Sequence, residues 1–294
     1  MNRPDRLGAA RSFLFGFLSV CTTFDLLSKV LMFEKTQINL VFCSLNRTFA
    51  GGMRYFIWFS YDGTDYHGWQ IQPNGVTVQQ VLQQRLSMLL RQETEVVGAG
   101  RTDAGVHARQ MVAHFDYDGQ YDMGNLAYKL DHALPDDISV WKVERVADDM
   151  HARFSAKRRT YHYYIHTHKD PFLRRYSCQL HYQLDFEAMN RAAHVLMEYE
   201  DFGAFCKAGS DVKTTLCHIY SAGWHQTGPT EWYFEITANR FLRNMVRAVV
   251  GTLMEVGRGR MSMDELRQVI EQGSRSGAGE SMPARALFLE SVDY

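Results

Sequence analysis

The chain has 294 residues, of which 46% are hydrophobic and 13% aromatic, enough to bury a sizeable core and more than one small domain needs. Its formal net charge of -1 excludes a wholly basic protein, so any nucleic-acid contact must come from a local cluster of cations. Its cysteines, Cys21, Cys43, Cys178, Cys206 and Cys217, form an odd set without a C-x-x-C, which argues against a disulfide framework and for a reducing, cytoplasmic setting; no apolar run of about 18 residues is present to span a membrane.

Residues 1–52 have no clear period and no helix-cap pairing. Arg3, Arg6 and Arg11 followed by SFLFGFLSV mimic a secretory signal, but the apolar run is short and no A-x-A cleavage site follows. This stretch is expected to be an extension that is disordered or not translated. From Met53 the pattern becomes regular. RYFIWFSY is strand-like, and Asp62-Gly63 signals a turn. Thr77 and Gln80 form a capping box, behind which Val78, Val81, Leu82, Arg85, Leu86 and Leu89 follow helical spacing. A short strand near Val96 to Ala99 leads into GRTDAGVH, and QMVAHFDY reads as a further strand. A helix over 125–133, a turn at Pro135-Asp136-Asp137 and a strand ISVWKVERV follow.

The second half repeats this grammar. RTYHYYIHT is a strand, DFEAMNRAAHVLM a helix with Asp185 as N-cap, and EWYFEITA a strand. A helix is predicted from about Arg240 to Val256, closed by Gly257 at C′. Ser262 and Glu265 make a second capping box, for a helix running to Gly273, and ALFLESVDY closes the chain as a strand. The pattern predicts an α+β fold of two domains, each a mainly antiparallel sheet with helices on one face and a cleft between them. The expected division places residues 53–155 in a catalytic-loop domain and 156–294 in a C-terminal domain; a single three-layer α/β domain is the alternative.

Three features could carry chemistry. In Gly100-Arg101-Thr102-Asp103-Ala104-Gly105-Val106-His107, glycines bracket a charged loop between two strands, where backbone freedom allows close approach of a ligand; spacing alone fits an ordinary polar turn as well. From Met150 to Lys169 there is no acid, while Arg153, Lys157, Arg158, Arg159 and Lys169 interleave with tyrosines and histidines. That composition suits phosphate contact and base stacking, and equally a solvated strand edge. In NRFLRNMVRAVVGTLMEVG, Arg240, Arg243 and Arg247 fall at i, i+3 and i+7 with no acid before Glu255, so they are expected to share a helix face and seek an anion outside it. That anion could be phosphate or Asp103; a solvated arginine face is the other reading. Ser210-Asp211-Val212-Lys213 lacks the companions of a serine-lysine catalytic motif, and the histidines and Cys217 show no zinc spacing. Without a P-loop or a complete G-x-G-x-x-G, neither metal nor cofactor is indicated.

Taken together, these segments resemble the tRNA pseudouridine synthase A family along Met53–Tyr294. YDGTDYHGWQ (61–70) is similar to its opening motif, AGRTDAGVHA (99–108) to its catalytic loop, HARFSAKRRTYHYYI (151–165) to its central motif, and NRFLRNMVRAVVGTLMEVG (239–257) to its helix. The tail PARALFLESVDY is similar too, with Ala286 where the family usually has Gly. The resemblance implies isomerisation of uridine to pseudouridine in the tRNA anticodon stem-loop, at positions 38 to 40, by a cofactor-free homodimer. It makes Asp103 the carboxylate that starts the chemistry and Arg247 its orienting partner. It makes Tyr161 the residue that stacks on the target base and helps remove the C5 proton, and Arg101 the residue that holds the space the flipped uridine leaves. Arg158, Arg159, Arg240 and Arg243 are expected to bind substrate. Two rivals stand beside this reading: a catalytically inactive RNA-binding module, and a hydrolase using a carboxylate pair.

The abrupt change at MRYFIWFSY leads us to expect translation to begin at Met53. A chain starting there should fold and modify tRNA as well as the full chain does in a side-by-side activity assay. Loss of solubility or activity would show that the preceding residues are needed.

Overall fold

The computed structural model describes residues 52–210 and 212–294. The expectations for residues 1–51 and for Asp211 lie outside the described residues. Nine strands and five α-helices are placed along this stretch, an α+β fold. The strands are β1 Met53–Tyr61, β2 Val97–Gly98, β3 His107–Tyr117, β4 Ile138–Arg145, β5 Arg158–His166, β6 Cys178–Gln179, β7 Ile219–Gly228, β8 Glu231–Ala238 and β9 Leu287–Asp293. The helices are α1 Val78–Leu90, α2 Leu126–Ala133, α3 Phe186–Leu196, α4 Met245–Gly257 and α5 Met263–Gln272.

The strands form one sheet in the order β4-β1-β3-β9-β5-β8-β7, with β2 on β3 and β6 on β5. Pairing is antiparallel except at β3–β9 and β5–β6. The strands that precede residue 155 meet those that follow it through β3 and β9, where His107 faces Phe288 and Ala108 faces Leu289. The last strand of the chain thus lies between the two halves, and its antiparallel partner is β5. The alternation along β5 sends Tyr161, Tyr163 and Ile165 into the core, which leaves His162 and Tyr164 half-buried on the other face.

Local chemistry sets the helix ends. Thr77 caps α1 by accepting from the Gln80 amide, and Asp185 caps α3 by accepting from the Ala188 amide. The Ser262–Glu265 box is complete in both directions, and Gly273 ends α5 in the left-handed region at φ 63°. One expectation is corrected at α4. It begins at Met245 rather than near Arg240, because Asn244 sits at φ 66° and cannot continue a helix backwards. Its end differs also: Gly257 stays helical as the last residue, and a Cβ there would lie 2.4 Å from Met189 Sδ, so glycine serves packing against α3 and not a left-handed cap. Strand β7 carries no expectation from the sequence; its pattern, IYSAGWHQTG, mixes glycine with polar residues and alternates weakly.

A buried histidine links the core to the turn after β4. His114, on β3, accepts at Nδ1 from the Ala152 amide at 3.2 Å. Burial, helped by Arg54 and His151, depresses its pKa to about 4, while Asp116 opposes the shift. Above its unfolded pKa of about 6.5 both states are neutral, so the stability of this packing is fully present. As pH falls from there toward 4 the unfolded chain takes up a proton that the folded chain resists, costing on the order of 3 kcal/mol. The unfolding free energy is therefore expected to drop across that window, and His114→Gln should flatten the drop in a Tm-against-pH series. An equal slope in wild type and variant would remove His114 from the account.

Candidate active site

Asp103 lies on the loop between β2 and β3, and a second loop holds it in place. The Trp69 amide donates to the Thr102 carbonyl at 3.3 Å, and the Gly105 amide to the Tyr66 carbonyl at 3.4 Å. Tyr61 and Thr102 share a hydroxyl hydrogen bond of 2.8 Å. Gly68, at φ +85°, is required twice over: its backbone is left-handed, and a Cβ would lie 2.3 Å from the Thr102 carbonyl oxygen. Residues 61–70 therefore act as the bed of the Asp103 loop. His107 ties the same unit to the chain's end. It accepts at Nδ1 from the Gly63 amide at 3.0 Å and approaches the Arg285 carbonyl with Nε2 at 3.0 Å. Burial lowers its pKa, opposed by the Asp62 carboxylate, whose Oδ1 lies 2.9 Å from Nδ1, and by the Arg285 carbonyl.

The Asp103 carboxylate meets two arginines. Arg247 Nη1 lies 3.2 Å from Oδ2, and Arg243 Nε lies 3.8 Å from Oδ1. Asp103 keeps 27% exposure and Arg247 20%, so the pair is partly desolvated and still open to a ligand. The reason Arg247 points here is compositional. Every residue of α4 is buried except Arg247 and Glu255, and Glu255 is spent on Arg258 at 3.0 Å. Arg247 Nε donates to the Met282 carbonyl at 2.6 Å, and the Met282 amide returns a bond to the Arg247 carbonyl at 3.1 Å. The segment that supplies Met282 runs close along α4 because residue 251 is glycine; a Cβ there would sit 1.8 Å from the Glu280 carbonyl. One face of the guanidinium is thus fixed by backbone, and Nη1 is left for Asp103.

The expected sharing of one helix face by Arg240, Arg243 and Arg247 does not hold, since the first two precede the helix. Arg243 still converges on Asp103 from that segment, while Arg240 lies close enough to Arg159 to disfavour its charge. Tyr161, 8% exposed on β5, is set edge-on against Phe241 with ring centroids 5.0 Å apart. Burial pushes its pKa up to about 12, with a smaller upward push from nearby Asp103 and an opposing one from Arg159. Tyr161 is therefore a neutral phenol at pH 7 beside the carboxylate.

Arg101 and Arg158 are exposed, and Arg158 lies over the Tyr220 ring at 4.7 Å. Arg159 is placed otherwise than the basic run suggests. It is 8% exposed, and it donates to three backbone carbonyls: Asn239 at 2.7 Å, Ala99 at 2.8 Å and Arg153 at 2.7 Å. Burial lowers its pKa, and among the described residues no carboxylate forms an ion pair with it. It clasps the strand before the Asp103 loop, the turn after β4 and the segment before Arg240. Phe241, Gly68 and the Met282 carbonyl escaped individual notice in the sequence, although the first two stand inside the motifs. Among the described residues no group of three or more His, Cys, Asp or Glu is placed to hold a metal ion.

A family model described as tRNA pseudouridine synthase matches residues 57–155 and 192–294. The chain is 57% identical over 242 residues to a tRNA pseudouridine synthase A of Bacteroides fragilis, covering 82% of this chain and 96% of that protein. A protein of the same name from Bacteroides thetaiotaomicron is 56% identical over 243 residues, covering 82% and 90%. One from Thermoanaerobacter pseudethanolicus is 41% identical over 236 residues, covering 80% and 96%. The chain belongs to the tRNA pseudouridine synthase family.

The two neighbouring arginines make different demands on the fold. Arg158→Ala should flatten the log–log salt dependence of tRNA binding by roughly one unit and leave the melting temperature unmoved. Arg159→Ala should instead cost about 3 kcal/mol of stability, because three carbonyls lose their donor. Denaturant titration beside a salt series separates the two, and an unchanged slope in Arg158→Ala would mean that this side chain faces only solvent.

Proposed function

We propose that the chain converts uridine to pseudouridine in the anticodon stem-loop of tRNA, at positions 38 to 40, with Asp103 starting the reaction. The observation that carries the reading is the Asp103–Arg247 pair on a braced loop, with Tyr161 beside it. The reaction breaks N1–C1′ and joins C5 to C1′; C5 loses its proton and N1 gains one. Substrate and product are isomers, so no electron or energy carrier enters the balance. What the protein supplies is a positioned carboxylate, which attacks sugar or base or abstracts a sugar proton. Arg247, fixed by Met282, aims that carboxylate, and Arg243 adds a second positive charge.

The uridine must leave its stack to reach Asp103, at a cost of a few kcal/mol. Arg101, exposed two residues before Asp103, holds the vacated space in this reading. Tyr161 stacks on the base as a neutral phenol, and its oxygen takes the C5 proton only as its own O–H proton leaves to water. Arg158, Arg240 and Arg243 are assigned to phosphates; Arg159 supports them from beneath. Residues 53–155 and 156–294 act as two domains, and tRNA lies along the line where they meet. Two copies of the chain work together in the cytoplasm as a homodimer. In support, the sheet face bearing His162, Tyr164, Tyr233 and His225 leaves the first three rings half-buried and His225 exposed. No described helix is long and apolar enough to cross a membrane.

Single-turnover tritium release from C5-labelled uridine in tRNA tests the reading. Release identifies the synthase, free uracil would identify a hydrolase, and neither would leave a binding module. Asp103→Asn should lower the rate by at least a thousandfold, on the order of 4 kcal/mol, with tRNA affinity kept within severalfold. Arg247→Ala should cripple the rate as well, and the double variant should be little worse than Asp103→Asn alone, because the pair acts as a unit. Turnover within tenfold of wild type in Asp103→Asn would move the catalytic role elsewhere. Equal collapse of rate and binding would make the loop a docking element.

A further inference from the structure

Phe154 is 76% exposed, an unusual state for a phenylalanine on a turn that is otherwise firmly held. The turn is built from its own residues. The Ser155 amide donates to the His151 carbonyl at 2.9 Å, and the His151 amide to Ser155 Oγ at 2.9 Å. The Arg153 and Phe154 amides both point at His151 Nδ1, at 3.0 and 3.3 Å. Outside anchors fix it further: Tyr294 donates to the Ala152 carbonyl at 2.6 Å, and Arg159 to the Arg153 carbonyl at 2.7 Å. The ring is therefore presented on a rigid mount, so binding to it costs little ordering entropy.

The surroundings state what would bind. The His151 ring is 4.4 Å away and the Arg153 guanidinium 5.5 Å from the ring centroid. Lys157 and Arg158 are exposed nearby in the chain, and no acid occurs from 151 to 169. An exposed ring among these cations fits a flat, anionic ligand: a nucleotide with its base on the ring and its phosphate on the arginines. The same Arg159 that fixes this turn also holds the Ala99 carbonyl, four residues before Asp103 and so within about 14 Å of it along the chain. The mount is thus rigidly tied to the loop that carries the carboxylate.

We propose that Phe154 is a base-stacking platform for an unpaired nucleotide of the RNA substrate, a few nucleotides from the uridine at Asp103. This rests on the reading of the chain as an enzyme acting on tRNA. Stacking on such a platform draws loop nucleotides apart, which favours the extrusion the reaction needs. It also sets register, because the distance from platform to carboxylate is fixed by Arg159.

The test measures affinity and single-turnover tritium release together, with an unmodified anticodon stem-loop transcript at fixed salt. Phe154→Ala should raise Kd about tenfold, with the saturating rate falling by less than the affinity does. Phe154→Trp should stay within about twofold of wild type, while Phe154→Leu, apolar without a π-face, should lie near the alanine variant. A Kd for Phe154→Ala within about twofold of wild type would overturn the platform, as would leucine restoring affinity as fully as tryptophan. A general loss of folding would lower all three variants alike, tryptophan included, and would overturn it too. Failure of the isomerase reading looks different: wild type would release no tritium, whereas the ranking of the three variants is still read from Kd alone.

Discussion

The contact between Asp103 and Arg247 joins a loop that leaves β2 to a helix that begins more than a hundred residues later. Neither partner could hold this position unaided. A carboxylate on a two-strand connection is mobile unless its backbone is pinned, and an arginine has four rotatable bonds to lose. The pinning comes from three directions: Gly68 and Trp69 under the loop, the Met282 carbonyl on Arg247, and Arg159 across Ala99 and Asn239. The pairing of β3 with β9 joins the strand that follows the Asp103 loop to the strand that follows Met282.

The electrostatics around this contact are uneven by design of the sequence. Arg243 and Arg247 both reach Asp103, Arg240 and Arg153 crowd the buried Arg159, and no acid stands in the 151–169 stretch. A chain with net charge -1 thus carries a local excess of cations in these segments. Concentrating them is costly, since like charges repel and Arg159 is desolvated without an ion-pair partner among the described residues. The three backbone carbonyls compensate because their dipoles accept charge-assisted hydrogen bonds.

Local order was legible wherever a short-range rule acts. The capping residues Thr77, Asp185 and Ser262 name their helices, because a side chain that accepts from an amide two or three residues on leaves the same mark in the sequence as in the structure. The strands of β1, β5, β8 and β9 show in their aromatic and β-branched runs. Strand β7 does not, because its partners on the sheet, and not its own residues, decide that it is a strand. The start of α4 differs from the sequence expectation for a related reason: Arg240 and Phe241 have good helical spacing, and the left-handed Asn244 interrupts it.

What the sequence determined by itself was the α+β class, the order of most elements, and the residue types gathered in the motifs that contain Asp103, Tyr161 and Arg247. Those follow from periodicity, capping and composition, which are properties of neighbours along the chain. Only the tertiary structure decided which of the arginines faces outward and which is a clasp. Arg158 and Arg159 are adjacent and chemically identical, and the pleat of β5 sends one to solvent and the other to three carbonyls from distant segments. Period-two geometry assigns opposite faces, but which face is buried depends on what the rest of the chain packs there.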